Sequence, residues 1–194
     1  MDPRNSGTSM RPDERGFTLL EVLMAMAVMV IGLLSLGYGI GLGLEAVQMS
    51  TMDTIAREKA REAMEDVFTA RDTAAVQFSQ ICNIPASGPN PNNCLFVNGF
   101  TAMYTADGTG LVNTTAAALN NIETYQTPGP DGILGTADDV IYNLTSFQRS
   151  ISVNSLSSSD GYTILAEVTV TIQYNPLPWQ QRNVTLVAIM SPYV

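Results

Sequence analysis

The pattern of apolar and polar positions divides the chain into three stretches. From Val22 to Leu44 run 23 residues without a single charge. At 1.5 Å per residue, a helix of that length covers roughly 34 Å, enough to cross the hydrocarbon core of a bilayer. The pattern changes at Glu45. The stretch EAVQMSTMDTIAREKAREAMEDVFTARD lacks Gly and Pro and is rich in helix formers. Within it Met52, Ala56, Ala60, Ala63, Met64 and Val67 recur at three- and four-residue steps and make an apolar stripe. Glu58, Arg61, Glu62 and Glu65 share the other side, with Glu58–Arg61 attractive and Glu58–Glu62 repulsive. One helix from Phe17 to about Arg71 is expected, its second half lying on a sheet. Gly37, Gly39, Gly41 and Gly43 each cost about 1 kcal/mol in a helix interior; they suit either local bending or close helix packing.

The third stretch alternates with period two. In YTILAEVTVTIQY, Ile164, Ala166, Val168, Val170, Ile172 and Tyr174 alternate with Leu165, Glu167, Thr169, Thr171 and Gln173, as in a half-buried strand. TSFQRSISVNS before it and NVTLVAIM after it read as partner strands, with SSSDG and NPLPWQQ as the turns. LFVNGFTAMY reads as a first strand, and CNIPASGPNPNNC must be loop. The predicted fold is α+β: a long N-terminal helix packed on a C-terminal antiparallel sheet of three to four strands.

Charge sharpens this division. Charged residues make up only 14% of the chain, and the deficit lies in the apolar run. From Thr73 onward, Arg149 and Arg182 stand against seven acidic residues, so a head of net charge about -5 would repel nucleic acid. The chain has no histidine, which removes the usual general base and the commonest zinc ligand. No Ser-His-Asp set can be assembled, and the sole lysine, Lys59, lies on the helix. The sequence therefore does not predict an enzyme. Cys82 and Cys94 lie beyond the apolar run; on an exported head they are expected to pair, closing the loop at a gain of about 3 kcal/mol.

The N-terminus carries the chemistry. MDPRNSGTSMRPDERG is a polar leader with Arg4, Arg11 and Arg15. The apolar run behind it is longer than the roughly 7–15 residues of a cleaved secretory signal and ends in a poor cleavage site, so it reads as a retained anchor. Arg11 and Arg15 favour a cytoplasmic leader. Glu21 sits inside the apolar run, where a carboxylate costs about 2.5–3.5 kcal/mol unless paired or near the interface.

The segment Gly16–Val22, G-F-T-L-L-E-V, resembles the processing motif of type IV prepilins and type II secretion pseudopilins, and the apolar stretch after it resembles minor pilins of the V type. The resemblance is specific over about 28 residues. It implies cleavage between Gly16 and Phe17 by a prepilin peptidase and methylation of the Phe17 amine. It also implies that Glu21 meets the Phe17 amine of a neighbouring subunit in a filament. Many major pilins have a proline where this chain has Tyr38. The implied organisation is leader 1–16, filament-core helix 17–44, amphipathic helix 45–72 and head 73–194. The implied partners are other pilin subunits, the peptidase/methyltransferase, an inner-membrane assembly platform and membrane lipid. The chain would start in the inner membrane, head in the periplasm, and end in an extracellular pilus or a periplasmic pseudopilus.

A second motif is PGPDGILGTADDV, Pro128–Val140. Asp131, Asp138 and Asp139 offer hard oxygen donors on a Gly-containing loop, which suits calcium, although the spacing is not that of an EF-hand. It is similar to acidic loops that bind calcium in some major pseudopilins. A plain surface turn accounts for the same residues, and no other cofactor is expected. Asp107 reads as a turn residue that could add a ligand. Asn113, Asn143 and Asn183 begin glycosylation sequons, frequent by chance in so Ser/Thr-rich a chain. Trp179 reads as an exposed contact in the last turn or as a cap on the sheet edge. The reading is a minor pilus subunit, with a secretion pseudopilin as the nearest alternative and a tip-displayed adhesin as the alternative of another class.

Overall fold

The computed structural model describes residues 18–115, 121–157, 163–177 and 179–192. The leader, Gly16, Phe17 and most of the SSSDG turn lie outside the described residues. Two compact units meet between Ala46 and Val47, and one helix, α1 (Leu19–Asp72), contributes to both.

In the first unit α1 opens on Thr18. The Glu21 amide donates to the Thr18 carbonyl at 3.0 Å and to its hydroxyl at 3.3 Å. Thr18 is thus an N-cap and Glu21 the third helical residue, half of a capping box. Behind them the helix is long and apolar enough to cross a membrane. Its aliphatic side chains are exposed, Leu20 at 70% and Leu34 at 69%.

The second unit contains the rest of α1 and the sheet. Here α1 buries Ile55, Ala56, Lys59, Ala60, Ala63, Met64, Val67 and Ala70. That face is the expected stripe, with Lys59 inside it as the surprise. Its alanines are wholly or almost wholly buried, and Ile55 and Val67 each contribute about 1.5–3 kcal/mol by burial. The helix ends where Ala74 turns left-handed (φ 56°) and the Val76 amide folds back to the Ala70 carbonyl at 3.1 Å.

The main sheet is antiparallel, in the order β1 (Thr101–Ala102), β4 (Phe147–Ser157), β5 (Thr163–Leu177), β6 (Gln180–Met190). Register pairs Ile151 with Val170 and Val170 with Leu186, so one face of three strands joins the α1 stripe in a single core. Ala166, Val168, Val170, Ile172 and Tyr174 all point inward, as the period-two pattern requires. The expected first strand is much shorter than LFVNGFTAMY: only Thr101–Ala102 pairs with β4, because Gly99 (φ 80°) turns the chain just before it. A hairpin of β2 (Thr124–Thr127) and β3 (Val140–Asn143), absent from the sequence reading, makes a second small sheet. Where β1 ends, Asn83 covers the edge of β4. Its amide donates to the Ile151 carbonyl at 2.7 Å and accepts from the Val153 amide at 2.6 Å, standing in for a strand partner.

Candidate functional site

The candidate residues fall into three separate places. At the start of α1, the Glu21 carboxylate is exposed and has no ion pair among the described residues. Its position in the first helical turn sets it at the favourable, positive end of the helix dipole, while the cap to Thr18 is made by the Glu21 backbone amide alone. The spacing Thr18-x-x-Glu21 could have revealed the cap from sequence.

The second place is the disulfide loop. Cys82 and Cys94 are bonded, with their Cα atoms 4.8 Å apart. Asn90 organises the loop between them, accepting from the Cys94 amide at 2.8 Å and donating to the Cys94 carbonyl at 3.1 Å. Phe96 follows and is fully buried, so the closed loop is anchored in the head's core.

The third place is the β2–β3 connection. Asp131, Asp138 and Asp139 each bring one carboxylate oxygen within 4.8 Å of the others. Asp139 is the hub. It accepts from the amides of Gly135 (2.6 Å), Thr136 (3.2 Å) and Gly129 (3.2 Å), and from the Gln126 side chain. Burial pushes the Asp139 carboxyl up, but these donors outweigh it and hold the group below its ordinary value. The Thr136 hydroxyl, 2.7 Å away, does the same for Asp138. A β-carbon on Gly129 would run into the Asp138 carbonyl and carboxylate, so the close approach requires glycine there. Gly132 (φ 71°) and Gly135 (φ 90°) set the left-handed corners on either side of Ile133 and Leu134. The three carboxylates are the donor type calcium prefers, but calcium takes 6–8 oxygens, so carbonyls or water must supply the rest. Asp107 stays apart: it accepts from the amides of Thr109 and Leu111 and the hydroxyls of Thr109 and Thr114, the signature of an Asx turn.

A charged cluster that the sequence did not announce lies between α1 and the sheet. The Arg149 guanidinium, 2% exposed, donates to Glu123 at 2.8 Å and to the Tyr104 carbonyl at 3.2 Å. Lys59 lies 3.4 Å from Glu123 and 2.7 Å from Glu62. Neighbouring Asp66 is held above the ordinary carboxylate range, first by burial and then by repulsion from Glu62 and Glu123, against the pull of Arg149 and Lys59. Arg149, Glu123 and Lys59 are paired with one another, while Asp66 makes no ion pair among the described residues, and the cluster reads as a structural tie.

The remaining sequence candidates also find places. Asn113 is 5% exposed and its carbonyl accepts from Thr101, so it cannot present a sequon, whereas Asn143 and Asn183 are exposed. Trp179 is 78% exposed in the β5–β6 turn and caps no edge.

Residues 11–37 match the family model described as the prokaryotic N-terminal methylation motif, the type IV pilin and pseudopilin signature. That motif implies processing by a prepilin peptidase and assembly with other pilins, and together with the apolar helix it is consistent with a membrane-anchored, pilin-like subunit. No curated protein and no solved structure matches the chain detectably.

Proposed function

We propose that this chain, bearing the type IV pilin and pseudopilin signature, is a minor subunit of a type IV pilus. It is held in the inner membrane by the apolar half of α1, leader in the cytoplasm and head in the periplasm, and is drawn from there into the filament. The observation that carries the reading is the methylation motif over 11–37 running directly into an apolar helix whose first turn holds one carboxylate, Glu21. Cleavage after Gly16 would free the Phe17 amine as a cation. In a bundle of such helices the Glu21 of one subunit and the Phe17 amine of the next neutralise each other, which sets axial register while apolar packing supplies adhesion. The protein is a substrate of processing enzymes and not itself an enzyme.

Mass spectrometry of the N-terminus tests the class: trimming after Gly16 with one methyl group on Phe17 is expected, and an intact or differently cut terminus overturns it. Glu21→Ala tests the assembly step. The variant should be processed normally yet enter sheared filaments at less than about a tenth of the wild-type level, a coupling of about 1.4 kcal/mol or more. Equal incorporation would remove the Glu21–amine pairing from the mechanism.

A secretion pseudopilin is the second reading, favoured by the clustered carboxylates of Asp131, Asp138 and Asp139. Calcium held there would pin the β2–β3 loop through added charge neutralisation. Incorporation into pili or into the secretion apparatus, followed in cells lacking one system at a time, separates the two.

A further inference from the structure

We propose that the head carries a binding cleft for a single neutral sugar ring, at the end of the main sheet near the β5–β6 turn. Thr145, Ser146, Gln148, Gln173, Asn175 and Gln181 surround a cavity of about 210 Å³ there. That is smaller than the roughly 300–1,000 Å³ of pockets for drug-sized ligands, and it suits one ring with several hydroxyls.

The lining is the argument. It contains four side-chain amides and two hydroxyls and no charged group, in a chain of net charge -9. A cleft without a fixed cation offers little to an anion, and one without a carboxylate offers little to a metal or an amine. Each amide presents a donor and an acceptor side by side, the match for two adjacent hydroxyls on a pyranose. Among the described residues, none of these six side chains makes a hydrogen bond to another protein group, so their capacity is available to a ligand. Elsewhere in the head, the polar side chains of Asn83, Asn90, Asp107 and Asp139 are committed to the backbone.

The cleft is also rigidly backed. Tyr174 stands between Gln173 and Asn175 in β5; its ring is buried on the opposite face of the sheet, stacked on Phe147 at 5.3 Å with its hydroxyl bonded to Asp53 at 2.9 Å, which fixes the strand that carries both amides. Two residues before Gln181 stands Trp179, outside the cleft lining and 78% exposed in the adjoining turn. The site does not depend on the filament reading, since every group belongs to the head.

The chain has one tryptophan, so its emission reports on this turn. The full-length chain, in lauryldimethylamine oxide micelles to avoid sugar-headed detergents, is titrated with glucose, galactose, mannose and N-acetylglucosamine. A saturable change in Trp179 emission is expected for at least one, with half-saturation on the order of 1 mM, typical of the small contact one ring can make. Saturation-transfer NMR on the sugar protons gives a second readout independent of the indole. Gln173→Ala and Gln181→Ala should each weaken the response about tenfold, and Ser152→Ala, on the same sheet but outside the cleft, should not. Silence in both readouts for all four sugars overturns the proposal. So does a response that survives both glutamine substitutions unchanged in variants whose circular dichroism matches wild type.

Discussion

The Tyr174 hydroxyl donates a 2.9 Å hydrogen bond to the Asp53 carboxylate, across 121 residues of chain. Asp53 also accepts from Arg57 at 2.8 Å, one helical turn on. Arg57 first, then Tyr174, holds the Asp53 carboxyl below its ordinary value in spite of partial burial. Tyr174→Phe keeps the ring and its stacking on Phe147 and removes only the bond. A loss of about 1 kcal/mol is expected, below the usual range for bonds to charged groups because Asp53 is partly exposed. The sign with pH follows from the lowered folded pKa: the Asp53 contribution is present above the unfolded carboxylate value and is lost as pH falls through the folded one. Thermal melts of the variant should therefore show a shallower acid limb than wild type.

The buried tie between Arg149 and Glu123 makes a sharper prediction. Removing Arg149 leaves Glu123 buried with only Lys59 at 3.4 Å, so Arg149→Met should cost about 3 kcal/mol, the low end for a broken buried pair. The double change Arg149→Met with Glu123→Leu leaves no stranded carboxylate, and Lys59 keeps Glu62. Its urea midpoint should recover most of the loss. A double variant no more stable than the single one would show that the pair itself, and not the stranded charge, holds α1 to the sheet.

Asp66 has the opposite sign to Asp53. Its folded pKa is raised, so its contribution is favourable below the unfolded carboxylate value and is lost as pH rises through the folded one. Near neutral pH its charge is a net cost. Asp66→Asn is expected to raise the melting temperature at pH 7, with the gap from wild type closing near pH 3.5. A constant gap across that range would mean the asparagine acts through packing and not through charge.

Gly129→Ala tests the acidic loop. The added methyl cannot coexist with the Asp138 carbonyl at the observed approach, so the β2–β3 connection must open and the three carboxylates separate. If calcium binds there, millimolar calcium should raise the wild-type melting temperature by linkage and leave both Gly129→Ala and Asp138→Asn unmoved. Identical wild-type melts with and without calcium would reduce the loop to a surface turn.

What was legible in the sequence follows one rule. Features written in local periodicity were readable: the span of α1 to within two residues at its start, its apolar stripe, and the inward face of β5 from Ala166 to Tyr174. The methylation motif was readable because processing enzymes meet it as a short linear segment. The Thr18 cap is equally local, since Thr18 and Glu21 stand three residues apart.

Tertiary structure decided everything that depends on register between distant segments. In sequence Lys59 is only a helix residue and Arg149 one of two cations of the head; the fold brings Glu123 beside both. Asn83 became a surrogate strand, and Gln148, Gln173 and Gln181 became one wall, only when β4, β5 and β6 were aligned. A helix or strand period is imposed by the backbone at every residue and leaves its trace in any short window. A contact across a hundred residues is imposed by packing, and a single chain carries no repeating mark of it.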